Sequence, residues 1–394
     1  MEINEKPLER KYYLDNIRWL VIAFVFSHHI VYMFNSEGLR GHFWAEGIPV
    51  MDMFSHVVYP WFMGVLFLVA GIGAKYSLER RTITEFRKDR FAKLMRPFIF
   101  GMFILSPVVA YHMFQTQGTL SEVYAGMGNV PMAAKYSELW IMCFLIGMAQ
   151  LWFIAELFIF SRLLLWIKKK DKNGKLDALG QKCGSLGKSG VIALVVMGIL
   201  YVLLAKSLDL FCSINYRFMG LWLVLRPQLY FYLFLLGYYV FARDEMLEKL
   251  KKAALPLALT AIVFCVGQSI YSYGGDSTGA NGMYDYTISC NFILPAIYAY
   301  IAMLAILGCA GRWFNHHNKF TTYMADRSFG FYMFHYIVLV YAADVTVNYL
   351  HIHGILRYAV TFLIGSVGTL LLTEIIRLIP GISTLFGIKG LQRN

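Results

Sequence analysis

Two imidazoles, His28 and His29, sit deep in an apolar run that opens with Leu14-Asp15-Asn16-Ile17-Arg18. Arg18 and His29 are eleven residues apart, a spacing that returns to nearly the same helix face about 16 Å further along the axis. An ionisable side chain inside hydrocarbon is costly, about 2.5–3.5 kcal/mol for a central Arg or Lys. Such groups point to function, and they face a protein interior or a wet cavity. An imidazole placed there can take a proton as a general base. The plainer reading is a histidine that only hydrogen-bonds a neighbouring helix.

Three further groups carry chemical side chains. Lys88-Asp89-Arg90-Phe91-Ala92-Lys93-Leu94-Met95-Arg96-Pro97 stands before an apolar span, and helical spacing turns Arg90 and Lys93 to one side. That pair suits an anionic ligand, the arginine as a bidentate fork and the lysine as a point charge; a lipid-headgroup anchor is the alternative. Gln150-Leu151-Trp152-Phe153-Ile154-Ala155-Glu156 buries a carboxyl that needs a partner or a proton, as a structural hub or as part of a site. Ser328-Phe329-Gly330-Phe331-Tyr332-Met333-Phe334-His335 places another imidazole about two turns into a late span, with Asp344 beyond it.

The elements that hold these residues are membrane helices. The chain of 394 residues is 58% hydrophobic and 15% charged, which excludes an ordinary soluble domain. Ten apolar stretches, near 17–34, 57–74, 97–114, 139–167, 190–206, 227–242, 254–273, 289–310, 328–350 and 357–379, predict an all-α polytopic bundle. The sixth is short. The polar, mixed-charge first sixteen residues predict a retained first span and not a cleavable signal. With the N-terminus inside, the inner segments hold 27 Lys/Arg against 4 outside, and both termini are cytoplasmic. The net charge of +12 then reflects topology and anionic headgroups, and nucleic acid is not needed as a partner. One membrane domain over 1–394 is expected, with tails at 1–16 and 380–394. The six cysteines lack CxxC spacing, so no metal site is expected.

These pieces together resemble the acyltransferase-3 family of integral-membrane O-acyltransferases, in its glucan succinyltransferase-like branch. The resemblance rests on Leu14, Asp15, Arg18 and His29 in the first span and on Arg90, Lys93 and Pro97 before the third. It rests also on Leu151-Trp152-Phe153, and on Ser328, Tyr332 and His335. Lys93 stands in place of a second arginine and Gln150 in place of a histidine, which weakens the donor assignment more than the reaction class.

The resemblance implies transfer of an acetyl- or succinyl-class group from cytoplasmic acyl-CoA to a hydroxyl of a sugar or glycan, in a bacterial plasma membrane. It implies His29 as general base, with Arg18 and Asp15 on the cytoplasmic side and His28 as a weaker stand-in. Arg90 and Lys93 would hold the donor's phosphates, and Trp152, Glu156, Tyr332 and His335 would bind substrate or support the site. The rival readings are a proton-coupled transporter or flippase, using the intramembrane His, Glu and Asp as a relay, and a non-catalytic scaffold.

Overall fold

The computed structural model describes residues 10–36, 46–116, 135, 137, 149–184, 188–214, 226–273 and 292–390, and among these there is no β-strand. The helices are α1 (Tyr12–Met33), α2 (Pro49–Glu79), α3 (residues 83–116), α4 (Trp152–Lys170), α5 (Lys175–Gly184) and α6 (Lys188–Ile214). Then follow α7 (Pro227–Leu236), α8 (Asp244–Lys252), α9 (Ala254–Tyr273), α10 (Ile293–Trp313), α11 (Lys319–Asp344), α12 (Gly354–Leu378) and the short α13 (Ile382–Leu385).

Among the described residues eight helices are long and apolar enough to cross a membrane: α1, α2, α3, α6, α9, α10, α11 and α12. Described parts of the other two expected spans are also helical. The described part of the fourth begins at the 3-10 turn Ala149–Leu151 and carries Glu156, Arg162 and Lys168–Lys170, which lower its hydropathy. The sixth, α7 with its π turn Gly237–Phe241, is fifteen residues, about 22 Å, short of the ~30 Å of hydrocarbon. The glycine-rich stretch 274–282 and the first part of the fourth span lie outside the described residues.

Several helices start earlier than their apolar stretches. Thr82 and Glu85 close a capping box at the start of α3, and Asn318 and Thr321 close another at α11. Each pair satisfies orphan N–H groups, so polar turns extend the helix beyond the hydrocarbon. Hydropathy cannot register those turns.

Burial sorts the bundle into a centre and a rim. α2 is the most enclosed, with 78% of its apolar window buried, and α10 and α11 follow. α6, α9 and α12 turn Val195, Ile199, Ile262, Val266, Leu363 and Leu371 outward, as lipid-facing helices do. α2 meets α7 through Gly71 and Gly237: a Cβ on Gly71 would lie 2.0 Å from the Phe234 carbonyl oxygen, and one on Gly237 2.1 Å from that of Leu68. Only glycine permits that approach.

The predicted inner segments are physically joined at one end of the bundle. Lys11 pairs with Asp244, and Lys75 (3.0 Å) and Arg243 (3.7 Å) both reach Asp177. Asn16 donates to the carbonyls of Phe314 and His316. At the other end Tyr358 donates to the Phe34 carbonyl, and Arg357 donates to that of Glu46. The basic segments therefore share one face, as the charge count requires.

Candidate active site

α1 is one unbroken helix from Tyr12 to Met33, so Arg18 and His29 stand on a common axis about 16 Å apart. At the basic end Asp15 bridges two guanidinium groups, accepting from Arg18 at 2.9 Å and from Arg10 at 2.9 Å. A cavity of about 160 Å³ opens there, lined by Arg10, Asp15, Arg18, Gly73, Tyr76 and Arg80 among others. Gly73 lets the arginine in: a Cβ at that position would lie 2.9 Å from Arg18 Nη2. A wider open groove along His317, Lys319, Tyr323 and Asp326 holds none of the candidate residues.

At the deep end, His28 and His29 diverge. His28 is buried, with Nδ1 3.0 Å from the Ser55 hydroxyl. His29 faces α11: its ring centre is 5.2 Å from that of His335 and 4.9 Å from that of Tyr336, the latter edge-on. Its Nδ1 is buried without a hydrogen-bond partner. His335 is fully buried, and its Nδ1 lies 2.6 Å from the Tyr332 carbonyl oxygen. That contact requires the proton on Nδ1 and leaves Nε2, also unpartnered, as the basic nitrogen.

The fourth-span residues join the same site. Tyr332 donates its hydroxyl to the Gln150 carbonyl, while the Gln150 amide donates to that of Met333 at 3.3 Å. Phe153 packs edge-on against Tyr332, and Trp152 stacks on Tyr230 at 5.7 Å. Glu156 is buried and neither of its oxygens has a partner; Arg162, six residues on, is exposed. His112, Asp344, Glu374 and Arg377 pair away from this centre: Asp344 with His112 at 3.7 Å, and Glu374 with Arg327 at 2.7 Å and Arg377 at 2.6 Å.

Residues 11–377 match the model of the acyltransferase-3 family, described as an acyltransferase domain. The chain belongs to the acyltransferase-3 family. It is similar to the glucans biosynthesis protein C of Escherichia coli O139:H28, K12 and O81, at 24% identity over 358 residues, 87% of this chain and 86% of each relative. No solved structure gave a significant match. The chain is thus an integral-membrane acyltransferase.

In this acyltransferase the expected Arg90–Lys93 pair separates. A π turn at Phe91–Met95 follows Arg90 and breaks the 3.6-residue period on which their common facing depended. Lys93 is 58% exposed and pairs with Asp89 at 2.7 Å. Arg90 lies over Phe86 at 4.8 Å, its Nε buried and unpartnered. Sequence reasoning passed over Arg226 and Arg357, both almost fully buried, and Ser55. A charged residue directly before Pro227 at the start of a short span was the available signal for Arg226; nothing marked Ser55.

Proposed function

We propose that this acyltransferase takes an acyl group of the acetyl or succinyl class from cytoplasmic acyl-CoA. The group passes to a hydroxyl of a sugar, glycan or other acceptor from the opposite side of a bacterial plasma membrane. The observation that carries this reading is the polarity of α1. An arginine–carboxylate cluster beside a cavity marks the basic end, and an imidazole with an unpartnered, buried Nδ1 stands about 16 Å deeper on the same helix.

The basic end becomes the cytoplasmic mouth. Arg18 and Arg90 attract the donor's phosphates, with Lys93 contributing charge from the exposed side of its helix. Asp15 orients the Arg18 guanidinium from one turn away on the same helix, and Gly73 of α2 leaves room for it. The thioester end of the donor extends toward His29. His29 takes the proton of the acceptor hydroxyl as its oxygen attacks the thioester carbonyl carbon. A C–O bond forms, the C–S bond breaks, and the imidazolium returns the proton to the departing thiolate. The products are an ester and a free thiol, and no other reactant is needed. The kinship with proteins named for glucan biosynthesis supports a glucan acceptor.

The transporter reading would leave the donor intact. Mass spectrometry of surface glycans and hydroxylated metabolites from cells expressing wild type or His29→Ala tests the proposal. An acyl mass added only by wild type is the expected result. Equal acylation by both would remove His29 from its role, and no acylated product in either would overturn the reaction.

A further inference from the structure

We propose that the acceptor's hydroxyl-bearing group is seated against Gln150, Glu156 and His335, and that this cluster selects a neutral polyol over an anion. The inference rests on the acyl-transfer reading above and adds where the acceptor binds and what polarity it must have.

Four buried atoms in this cluster lack a partner: Gln150 Oε1, both carboxyl oxygens of Glu156, and His335 Nε2. They gather around Tyr332. The His335 ring is 5.8 Å from the Tyr332 ring, Gln150 accepts the Tyr332 hydroxyl on its backbone carbonyl, and Glu156 follows one helical turn after Phe153, whose ring packs edge-on against Tyr332. Donors of the same side chains are engaged elsewhere, one N–H of the Gln150 amide with Met333 and the Nδ1–H of His335 with Tyr332. Ionised or protonated, Glu156 keeps at least one oxygen as an acceptor.

Buried polar atoms in folded proteins are nearly always paired, and leaving one unpaired is unfavourable. At least three of these four atoms are acceptors in either state of Glu156, so the cluster is completed mainly by donors. Adjacent hydroxyls of a sugar or polyol supply several O–H groups at fixed spacing, whereas a phosphate or carboxylate supplies none. The basic end differs in sense: Arg90 Nε is an unpartnered buried donor there, and the unpartnered Tyr13 hydroxyl beside Asp15 can donate or accept. The two ends therefore sort an anionic acyl donor from a neutral acceptor. His29 Nδ1 borders the cluster, so one hydroxyl can reach it while its neighbours bond Glu156 and Gln150.

The test uses the full chain in lipid nanodiscs, acetyl-CoA and succinyl-CoA as donors, and glucose oligosaccharides, glycerol and glucose 6-phosphate as acceptors. Glu156→Leu and Glu156→Gln are compared with wild type by kinetics and thermal unfolding. The expected result for Glu156→Leu is a KM for the neutral acceptor raised about tenfold or more, with the KM for acyl-CoA unchanged. Its melting temperature equals or exceeds wild type, because an uncompensated buried carboxyl is gone. Glu156→Gln keeps one acceptor oxygen, shows a smaller rise, and carries the test if the leucine variant does not fold.

A lower melting temperature with unchanged acceptor KM overturns the inference and makes Glu156 a structural or hydrated group. So does a shift in the acyl-CoA KM alone, or a preference for glucose 6-phosphate. Transfer that is equal in wild type and both variants removes this inference while leaving the acyl-transfer reading intact. No transfer by wild type to any hydroxyl removes both.

Discussion

His29 on α1 and His335 on α11 stand with ring centres 5.2 Å apart and planes inclined by 31°, each keeping one buried nitrogen without a partner. They are 306 positions apart in sequence and share no local motif. Nothing but the packing of α1 against α11 makes them neighbours. The pair gives the site two imidazoles with different constraints: His335 has its tautomer set by the Tyr332 carbonyl, while His29 Nδ1 is unengaged.

The first expectation separates His29 from His28. His29→Ala lowers acyl transfer by about 10²- to 10⁴-fold, the usual contribution of a general base. His28→Ala removes a contact with Ser55 and costs about 1 kcal/mol of stability while leaving turnover largely intact. Thiol release from acyl-CoA, together with thermal unfolding of both variants, measures this. Equal loss of turnover in the two would refute the assignment.

His335→Asn tests the second imidazole. The asparagine amide can still donate to the Tyr332 carbonyl, as Nδ1 does now, but it offers no basic nitrogen in place of Nε2. Turnover should fall about tenfold or more with the KM for acyl-CoA unchanged. A melting temperature near wild type accompanies that loss, and retained turnover would assign His335 to packing alone.

At the basic end, Gly73→Ala brings a Cβ to 2.9 Å from Arg18 Nη2. The guanidinium is the far end of a flexible chain, so the fold accommodates the methyl and Arg18 shifts. The KM for acyl-CoA rises and kcat is little affected. Arg90→Met has the same direction of effect and also weakens the salt dependence of the donor KM. Unchanged donor KM in both variants would move the phosphate site elsewhere.

Gly71→Ala and Gly237→Ala address the fold itself. Each places a Cβ near 2 Å from a backbone carbonyl oxygen of the facing helix, and backbone cannot step aside as a side chain can. Overpacking of this kind costs about 1–3 kcal/mol or more. The two substitutions strain the same α2–α7 contact, so the double variant is destabilised by less than the sum. Thermal unfolding in detergent reads the difference, and a melting temperature unchanged by either single variant would rule out the close contact.

The sequence by itself determined the membrane-helical class, most of the span positions, the shared face of the basic segments, and the axis from Arg18 to His29. All of these follow from local pattern: hydropathy over about twenty residues, loop charge, and the 3.6-residue period within one helix. The same period misled at Arg90 and Lys93, because a π turn changes the facing of residues in a way hydropathy does not encode. Tertiary packing alone decided that His335 meets His29, that Tyr332 locks Gln150, and that Glu156 is buried without Arg162 as its partner. Those relations depend on which helix faces lie against each other. In a bundle where nearly every face is apolar, the amphipathic signal that would reveal the pairing is absent.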